Sequence, residues 1–285
     1  MSKILITGSN GSIGSVLVDR LSAEGHELVL ANNPVLRIEH KTYFEQFENP
    51  KEIDFLYHLA ANSFVPKSWE SPADFIEVNV LGTTHVLEFC RKNEIKLIFI
   101  SSYAYGIPQY LPIDEEHPLS AANPYALSKI MGEDLCRFYG KNFGLNYLIV
   151  RPFNIYGSMQ NKSLLIPEII EQINEGEGIN VKDLKPKRDY VFIDDLVDFL
   201  ALVMGDINNK AYNIGSGQSH SVKELIDLIQ EIWGSNLPVY SEASERQNEI
   251  PETIAEISQA KADFGWSPKF SLADGLSAIK KRGAE

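Results

Sequence analysis

The chain has 285 residues, 44% of them apolar, and a formal net charge of −13 at pH 7. That length buries a sizeable core in one large domain or two small ones, while the acidic balance argues against a polyanion-binding surface and hence against a nucleic-acid partner. No apolar run reaches the length of a membrane span, and no basic-then-apolar leader precedes the first strand at Lys3, so a cytoplasmic protein with no membrane partner is expected.

Apolar runs at 4–6, 27–30, 55–58, 97–100 and 147–150 read as buried strands. Between them, Ile13, Val16, Leu17 and Leu21 keep helical spacing. So do Phe75, Val78, Val86, Leu87 and Phe89, and so do Ile130, Leu135, Phe138 and Tyr139. Strand–helix alternation predicts an α/β fold with a doubly wound parallel sheet. Beyond Arg151 the pattern loosens. Helices are expected over 164–174, 194–204, 222–233 and 257–264, with short strands at 190–193 and 211–214. The division expected is a first domain over 1–156, joined by segments around 188–215, and a smaller α/β lobe mainly over 157–285. Cys90 and Cys136 lie in helical contexts and read as reduced structural thiols. No Cys/His spacing suggests a metal site.

The first strand runs straight into TGSNGSIG. Gly8 permits a tight turn, Gly11 lets backbone approach a ligand, and Gly14 lets the following helix pack on the strand. Ser9, Asn10, Ser12 and Ile13 complete the loop, and the helix N-terminus offers N–H groups and a positive dipole to an anion. That suits the pyrophosphate of a dinucleotide, although GxxGxxG differs from the GxGxxG fingerprint. An acid at the end of the second strand would bind the ribose 2′-OH of NAD, but the chain reads LVLANNP there, with Ala31 and Asn32. Arg37, a few residues on, suits a 2′-phosphate. The cofactor expected is therefore NADP(H) or NAD(H), with the lean to NADP(H).

Tyr125 and Lys129 stand four apart after Pro124, on one helix face. A nearby ammonium favours phenolate, so Lys129 is expected to lower the Tyr125 pKa. Such a pair can exchange a proton with a carbinol or carbonyl oxygen while hydride moves at the adjacent carbon. A hydroxyl from Ser101 or Ser102 would hold the same oxygen.

In family order the chain carries TGSNGSIG, HLAA (58–61), NVLGT (79–83), SSYAYG (101–106), NPYALSK (123–129), RPFNIYG (151–157), RDYVFIDD (188–195), YNIGSG (212–217) and FGWSPKFSLADGL (264–276). Over nearly its whole length it resembles the extended short-chain dehydrogenases/reductases, the NAD(P)-dependent nucleotide-sugar epimerases, dehydratases and reductases. The resemblance implies a Rossmann-type sheet with a C-terminal substrate lobe, and a nucleotide-diphosphate sugar as the small-molecule partner. It implies Tyr125 as general acid/base, Lys129 on the nicotinamide ribose, and Ser101 as catalytic hydroxyl, counting back from Tyr105-Gly106. His58, Leu59, Ala60 and Ala61, at the family's fourth strand, would line the cofactor with Pro152, and Asn79 would fix the helix beside it. Ser63, Ser102, Tyr103, Asn154, Arg188 and Arg246 would bind substrate, the two arginines near its diphosphate. The resemblance further implies a homodimer, through the helices around 74–92 and 124–140.

Dehydratases of this family carry an Asp-Glu pair after the catalytic Thr, and decarboxylases a Glu. Ser102 and Tyr103 cannot do carboxylate chemistry at neutral pH. Only 24 residues lead from Pro34 to His58, and short versions resemble GDP-4-keto-6-deoxy-D-mannose reductases and related 4-ketoreductases. With Ala31, this favours reduction of a 4-keto sugar nucleotide at C4, Tyr125 giving the proton. A 4-epimerase working through a transient 4-ketone is the second reading. A non-catalytic dinucleotide sensor is the third, against which the intact Ser/Tyr/Lys set speaks.

Overall fold

The fold starts where the apolar runs put it. Ile4, Leu5 and Ile6 are fully buried in β1 (Lys3–Thr7), which the glycine loop connects to α1 (Ser12–Ala23) and then β2 (Glu27–Ala31). The computed structural model describes residues 1–31, 37–158, 160–242 and 249–283. β3 (Phe55–His58) follows after a connection whose described residues hold two short 3₁₀ turns and no strand. His58 thus ends the third strand of the chain, not a fourth. Then come α2 (Val65–Glu70), α3 (Pro72–Phe75), a π-helical stretch at Ile76–Leu81, α4 (Gly82–Asn93) and β4 (Lys96–Ile100). α5 (Pro124–Phe143) leads into β5 (Tyr147–Pro152).

These strands and β9 (Ala211–Ile214) form one six-stranded sheet of order β2-β1-β3-β4-β5-β9. β1 pairs in parallel with both β2 and β3, β3 with β4, and β4 with β5. The chain winds outward from β1 in both directions, so the switch point lies between β1 and β3, where doubly wound sheets bind ligands at the strands' carboxyl ends. Among the described residues no strand lies beyond β2 in this sheet, and the connection to β3 is short.

The chain forms two compact units: Met1–Gly106, Pro118–Pro152 and Val197–Asn213 make the first, and Ile107–His117, Phe153–Leu196 and Ile214–Glu285 the second. The boundary thus falls after Pro152 rather than 156. Of the segment around 188–215 only the part from Val197 to Asn213 joins the first unit. There, Tyr57 Oη donates to the Leu200 carbonyl at 2.6 Å.

In the second unit, β6 (Asn154–Tyr156), β8 (Lys187–Phe192) and β10 (Ser219–Ser221) form a sheet of order β10-β8-β6. β7 (Ile179–Val181) pairs with β11 (Val239–Ser241). Helices α6 (Leu165–Glu175), α8 (Val222–Trp233), α9 (Ser258–Phe264) and α10 (Leu272–Gly283) complete it. α7 (Ile193–Leu202) begins in this unit and ends in the first. Asp189, fully buried on β8, accepts from the N–H groups of Ser216, Gly217 and Ala255 and from the Ser216 hydroxyl, at 2.7–3.0 Å. Four donors replace the water lost on burial and tie two loops to the strand. Among the described residues, no helix is long and apolar enough to cross a membrane.

Candidate active site

In the glycine loop, Gly8 has φ +73°, and a Cβ there would lie 2.6 Å from the Ala60 N atom. A Cβ on Gly14 would lie 2.2 Å from the Gly8 carbonyl oxygen. Both glycines are therefore demanded by the protein itself. Gly11 differs: its Cβ would come only to 3.3 Å of that same oxygen. Gly11 is also the N-cap of α1, with no capping side chain and no acid in the first turn. The first-turn N–H groups, which a helix leaves without intrahelical partners, stand over a backbone kept free of side chain and negative charge. This cradle fits a dinucleotide pyrophosphate, and Ser9, Asn10, Ser12 and Ile13 form its course.

The HLAA segment joins this loop from β3. Leu59 N donates to the Thr7 carbonyl at 3.2 Å and Ala60 N to Thr7 Oγ1 at 3.3 Å. The His58 side chain faces inward, with Nδ1 2.9 Å from Thr7 Oγ1 and Nε2 3.0 Å from Thr83 Oγ1. Burial, then the Lys129 charge, pulls its pKa to about 3, so the ring is neutral and serves as a tie between β1, β3 and α4. Ala61 is half-buried and Ser63 exposed. Asn79, in the π-helical stretch, brackets Asn62: its Oδ1 accepts from Asn62 N and its Nδ2 donates to Asn62 O, at 2.8 and 2.9 Å. The same Nδ2 lies 2.8 Å from Ser128 Oγ on α5, binding the loop to the helix that carries Tyr125.

α5 starts where its sequence dictates. Asn123 caps it, Oδ1 accepting from Ala126 N at 2.8 Å, with Pro124 at the first helical position. Tyr125 is thereby fixed in the first turn, and Lys129 and Glu133 follow on the same face.

The hydroxyl beside Tyr125 is that of Ser102, which is hydrogen-bonded to the phenol. Ser101, expected to hold that place, is buried and donates instead to Glu133 Oε1 at 2.6 Å. Burial pushes the Tyr125 phenol up to about 12, against the pull of Ser102. The Lys129 ammonium sits 4.7 Å over the Phe99 ring, and burial lowers it to about 8. Tyr103 is half-buried and acts on Tyr125 through its charge when ionised. Pro152 is buried at the end of β5.

Arg37 is held by a carboxylate at one nitrogen of its guanidinium, while its side chain is 63% exposed. Its Nε lies 2.7 Å from the carboxylate of Glu39, which is buried. Asn32 and Arg246 lie outside the described residues. In the second unit, Asn154 and Arg188 stand on neighbouring strands, with Asn154 Nδ2 donating to the Asp189 carbonyl at 3.0 Å. Arg188 is also engaged: it pairs with the Glu249 carboxylate and donates to the Ile250 and Lys187 carbonyls at 2.7 and 2.8 Å. Glu39 and Glu249 meet their arginines through the path of a loop and Glu133 meets Arg151 from helix to strand, pairings that no sequence motif records.

The comparisons agree with this geometry. A Methanocaldococcus jannaschii protein provisionally named UDP-glucose 4-epimerase is 32% identical over 97% of this chain and 96% of its own. The Thermotoga maritima UDP-glucose 4-epimerase, solved with UDP-glucose, superposes with a TM-score of 0.93 at 28% identity, covering 99% of this chain and 100% of that one. RMD from Pseudomonas aeruginosa, complexed with NADPH, gives 0.91 at 26% identity, with 99% and 98% covered. The model of the NAD dependent epimerase/dehydratase family matches residues 4–215, and the chain belongs to that family of nucleotide-sugar enzymes.

Proposed function

We propose that the protein is a UDP-sugar 4-epimerase that oxidises its substrate at C4, holds the 4-ketone, and reduces it on the opposite face. The observation that carries this is the Ser102–Tyr125–Lys129 set with no carboxylate next to it in sequence: Tyr103 and Ala104 follow Ser102. Elimination of water or loss of CO₂ asks for an acid at those positions, whereas redox at C4 asks only for proton transfer at O4. A bound nicotinamide ring supplies reversible hydride acceptance at C4. As the phenolate, which the positive charge of a nearby oxidised nicotinamide and of Lys129 would favour over the phenol of the unliganded protein, Tyr125 takes the O4 proton as hydride leaves and returns it as hydride comes back. Ser102 holds O4, and Lys129, carrying positive charge at neutral pH, binds the nicotinamide ribose. The names of the relatives support the epimerase over the ketoreductase. The Glu39 carboxylate on Arg37 competes with a 2′-phosphate there and so weakens, without removing, one of the two reasons for leaning to NADP(H).

The 4-ketoreductase remains the second reading, on the absence of an acid at Ala31 and the likeness to an NADPH complex. Mass spectrometry of the protein as purified separates the two. Retained NAD⁺, with interconversion of UDP-glucose and UDP-galactose without added cofactor, supports the epimerase. An empty site that turns over only with NADPH and a 4-keto sugar nucleotide overturns it.

A homodimer through α4 and α5 belongs to the same reading. Leu127, Met131 and Phe138 of α5 are exposed, as is Leu81, beside a shallow apolar groove lined by Ala73, Ile76, Val80 and Thr84. Light scattering on the eluting protein checks it: a dimer is expected, and a monomer rejects it.

A further inference from the structure

Tyr125, Lys129 and Glu133 lie at successive turns of one face of α5, and Glu133 has no exposed surface. Both its carboxylate oxygens are fully used. Oε1 accepts from Ser101 Oγ at 2.6 Å and Arg151 Nε at 2.9 Å. Oε2 accepts from Arg151 Nη2 at 2.7 Å and Arg137 Nη2 at 2.6 Å. The third nitrogen of Arg151, Nη1, donates to Tyr105 Oη at 2.8 Å, and that hydroxyl donates to Asn213 Oδ1 at 2.6 Å.

The short turn after β4 is therefore tied at both ends to one buried ion pair, Ser101 to its carboxylate and Tyr105 to its guanidinium. Ser102 lies between the two ties. The backbone adds its own constraints: Ser101 N donates to the Val150 carbonyl at 2.7 Å and Ala104 N to the Ser102 carbonyl at 2.8 Å. A buried ion pair is poor value as a source of stability alone, because an apolar pair of the same volume does as well or better. Its use here is geometric: the charged pair has the donors and acceptors to hold a turn in one conformation.

We propose that Glu133 is a positioning residue for the acid–base pair, accepting the Ser101 hydroxyl so that the turn presents Ser102 to Tyr125. This rests on Ser102 and Tyr125 acting as read above. Glu133 touches neither substrate nor cofactor; it acts through Ser101. Its charge also lies one turn below Lys129 and favours the protonated ammonium.

Ser101→Ala cuts the tie and leaves the ion pair whole, so it is the primary test, made on the full chain with its dinucleotide bound. The expected result is a kcat lowered about 10- to 100-fold, as for a catalytic group displaced by a fraction of an ångström. KM and dinucleotide affinity stay within twofold and the melting temperature within a few degrees. The Tyr125 phenolate, followed by ultraviolet difference titration against Tyr125→Phe, moves to higher pH because the Ser102 hydrogen bond is weakened. Glu133→Gln is expected to shift the same titration in the same direction. A Ser101→Ala protein with wild-type kcat and an unmoved titration overturns the proposal. A kcat loss as deep as that of Ser102→Ala with the titration unmoved also overturns it, by placing Ser101 on the substrate. Full turnover by Tyr125→Phe instead rejects the acid–base reading itself and is visible in the same series.

Discussion

Ser102 is hydrogen-bonded to the Tyr125 phenol, while its neighbour Ser101 is turned away to a buried carboxylate. On the proposed mechanism, a serine hydroxyl there would hold the oxygen whose proton Tyr125 moves. It donates to that oxygen most strongly when the oxygen carries charge in the transition state. Ser102→Ala is expected to lower kcat about 100-fold with little change in KM, and Ser102→Thr to restore most of it. Steady-state rates with the sugar nucleotide check this, and a Ser102→Ala enzyme within threefold of wild type rejects it.

The sequence carries the local patterns of this site but not the choice between its two serines or the partners of its arginines. The glycine loop, the cap Asn123-Pro124 and the Tyr125/Lys129 spacing are local patterns, and local patterns fix local geometry. Choosing between Ser101 and Ser102 meant counting back from Tyr105-Gly106, which assumes a turn of standard length. The register of β4 decides it instead: Phe99 stands opposite His58 and Ile149 in the sheet, and Ser101 is the first residue beyond the strand. The shortness of the connection after β2 could be read from chain length alone. The partners of Arg37, Arg188 and Arg151 could not, because Glu39 and Glu249 reach their arginines along a loop path and Glu133 reaches Arg151 from helix α5 to strand β5, which no periodicity records.

The Lys129 ammonium costs stability. Burial holds its folded pKa near 8, below the unfolded value of 10.5. Between those values the unfolded chain binds more protons, so this group makes stability rise as pH climbs from about 8 to about 10.5. Below pH 8 the cost is at its full size, about 3 kcal/mol from the separation of the two pKa values. Lys129→Met is expected to melt higher than wild type at pH 7, by an amount that shrinks towards pH 10, while losing activity. Calorimetry of the two proteins across that range checks the sign. A variant that melts lower at pH 7 shows the cation–π seat on Phe99 outweighing the burial cost.

Gly11 and Gly14 separate binding from folding. A Cβ at 3.3 Å from the Gly8 oxygen asks for a shift of a few tenths of an ångström, whereas one at 2.2 Å cannot be accommodated without moving α1 off β1. Gly11→Ala is expected to fold within about 1 kcal/mol of wild type and to lose dinucleotide binding at least tenfold, because the methyl group projects over the cradle. Gly14→Ala is expected to lose about 3 kcal/mol or more of stability, as overpacking against rigid backbone does. Denaturant melts paired with titration of NAD⁺ distinguish them. Equal effects of both substitutions on stability reject the assignment of Gly11 to the ligand.

Cofactor choice turns on Arg37 and Glu39. Arg37 is 63% exposed at its side chain, whereas the Glu39 side chain is 4% exposed, so the carboxylate is held by the fold and the guanidinium comes to it. While the pair persists, a 2′-phosphate approaching Arg37 meets a neutralised cation, and the phosphate must compete with a carboxylate already in place. Such a half-exposed pair contributes under about 1 kcal/mol to stability, so Glu39→Gln leaves the fold intact and frees the guanidinium. The expected outcome is a rise in NADP⁺ affinity relative to NAD⁺ of about tenfold, the size of one charge-assisted contact, with NAD⁺ affinity itself changed less than threefold. Arg37→Ala in the Glu39→Gln background is expected to abolish the gain. Titration of both dinucleotides against the three proteins reads this out. An unchanged NADP⁺/NAD⁺ ratio in Glu39→Gln places Arg37 out of reach of the adenosine ribose and returns cofactor choice to the segment that follows Ala31.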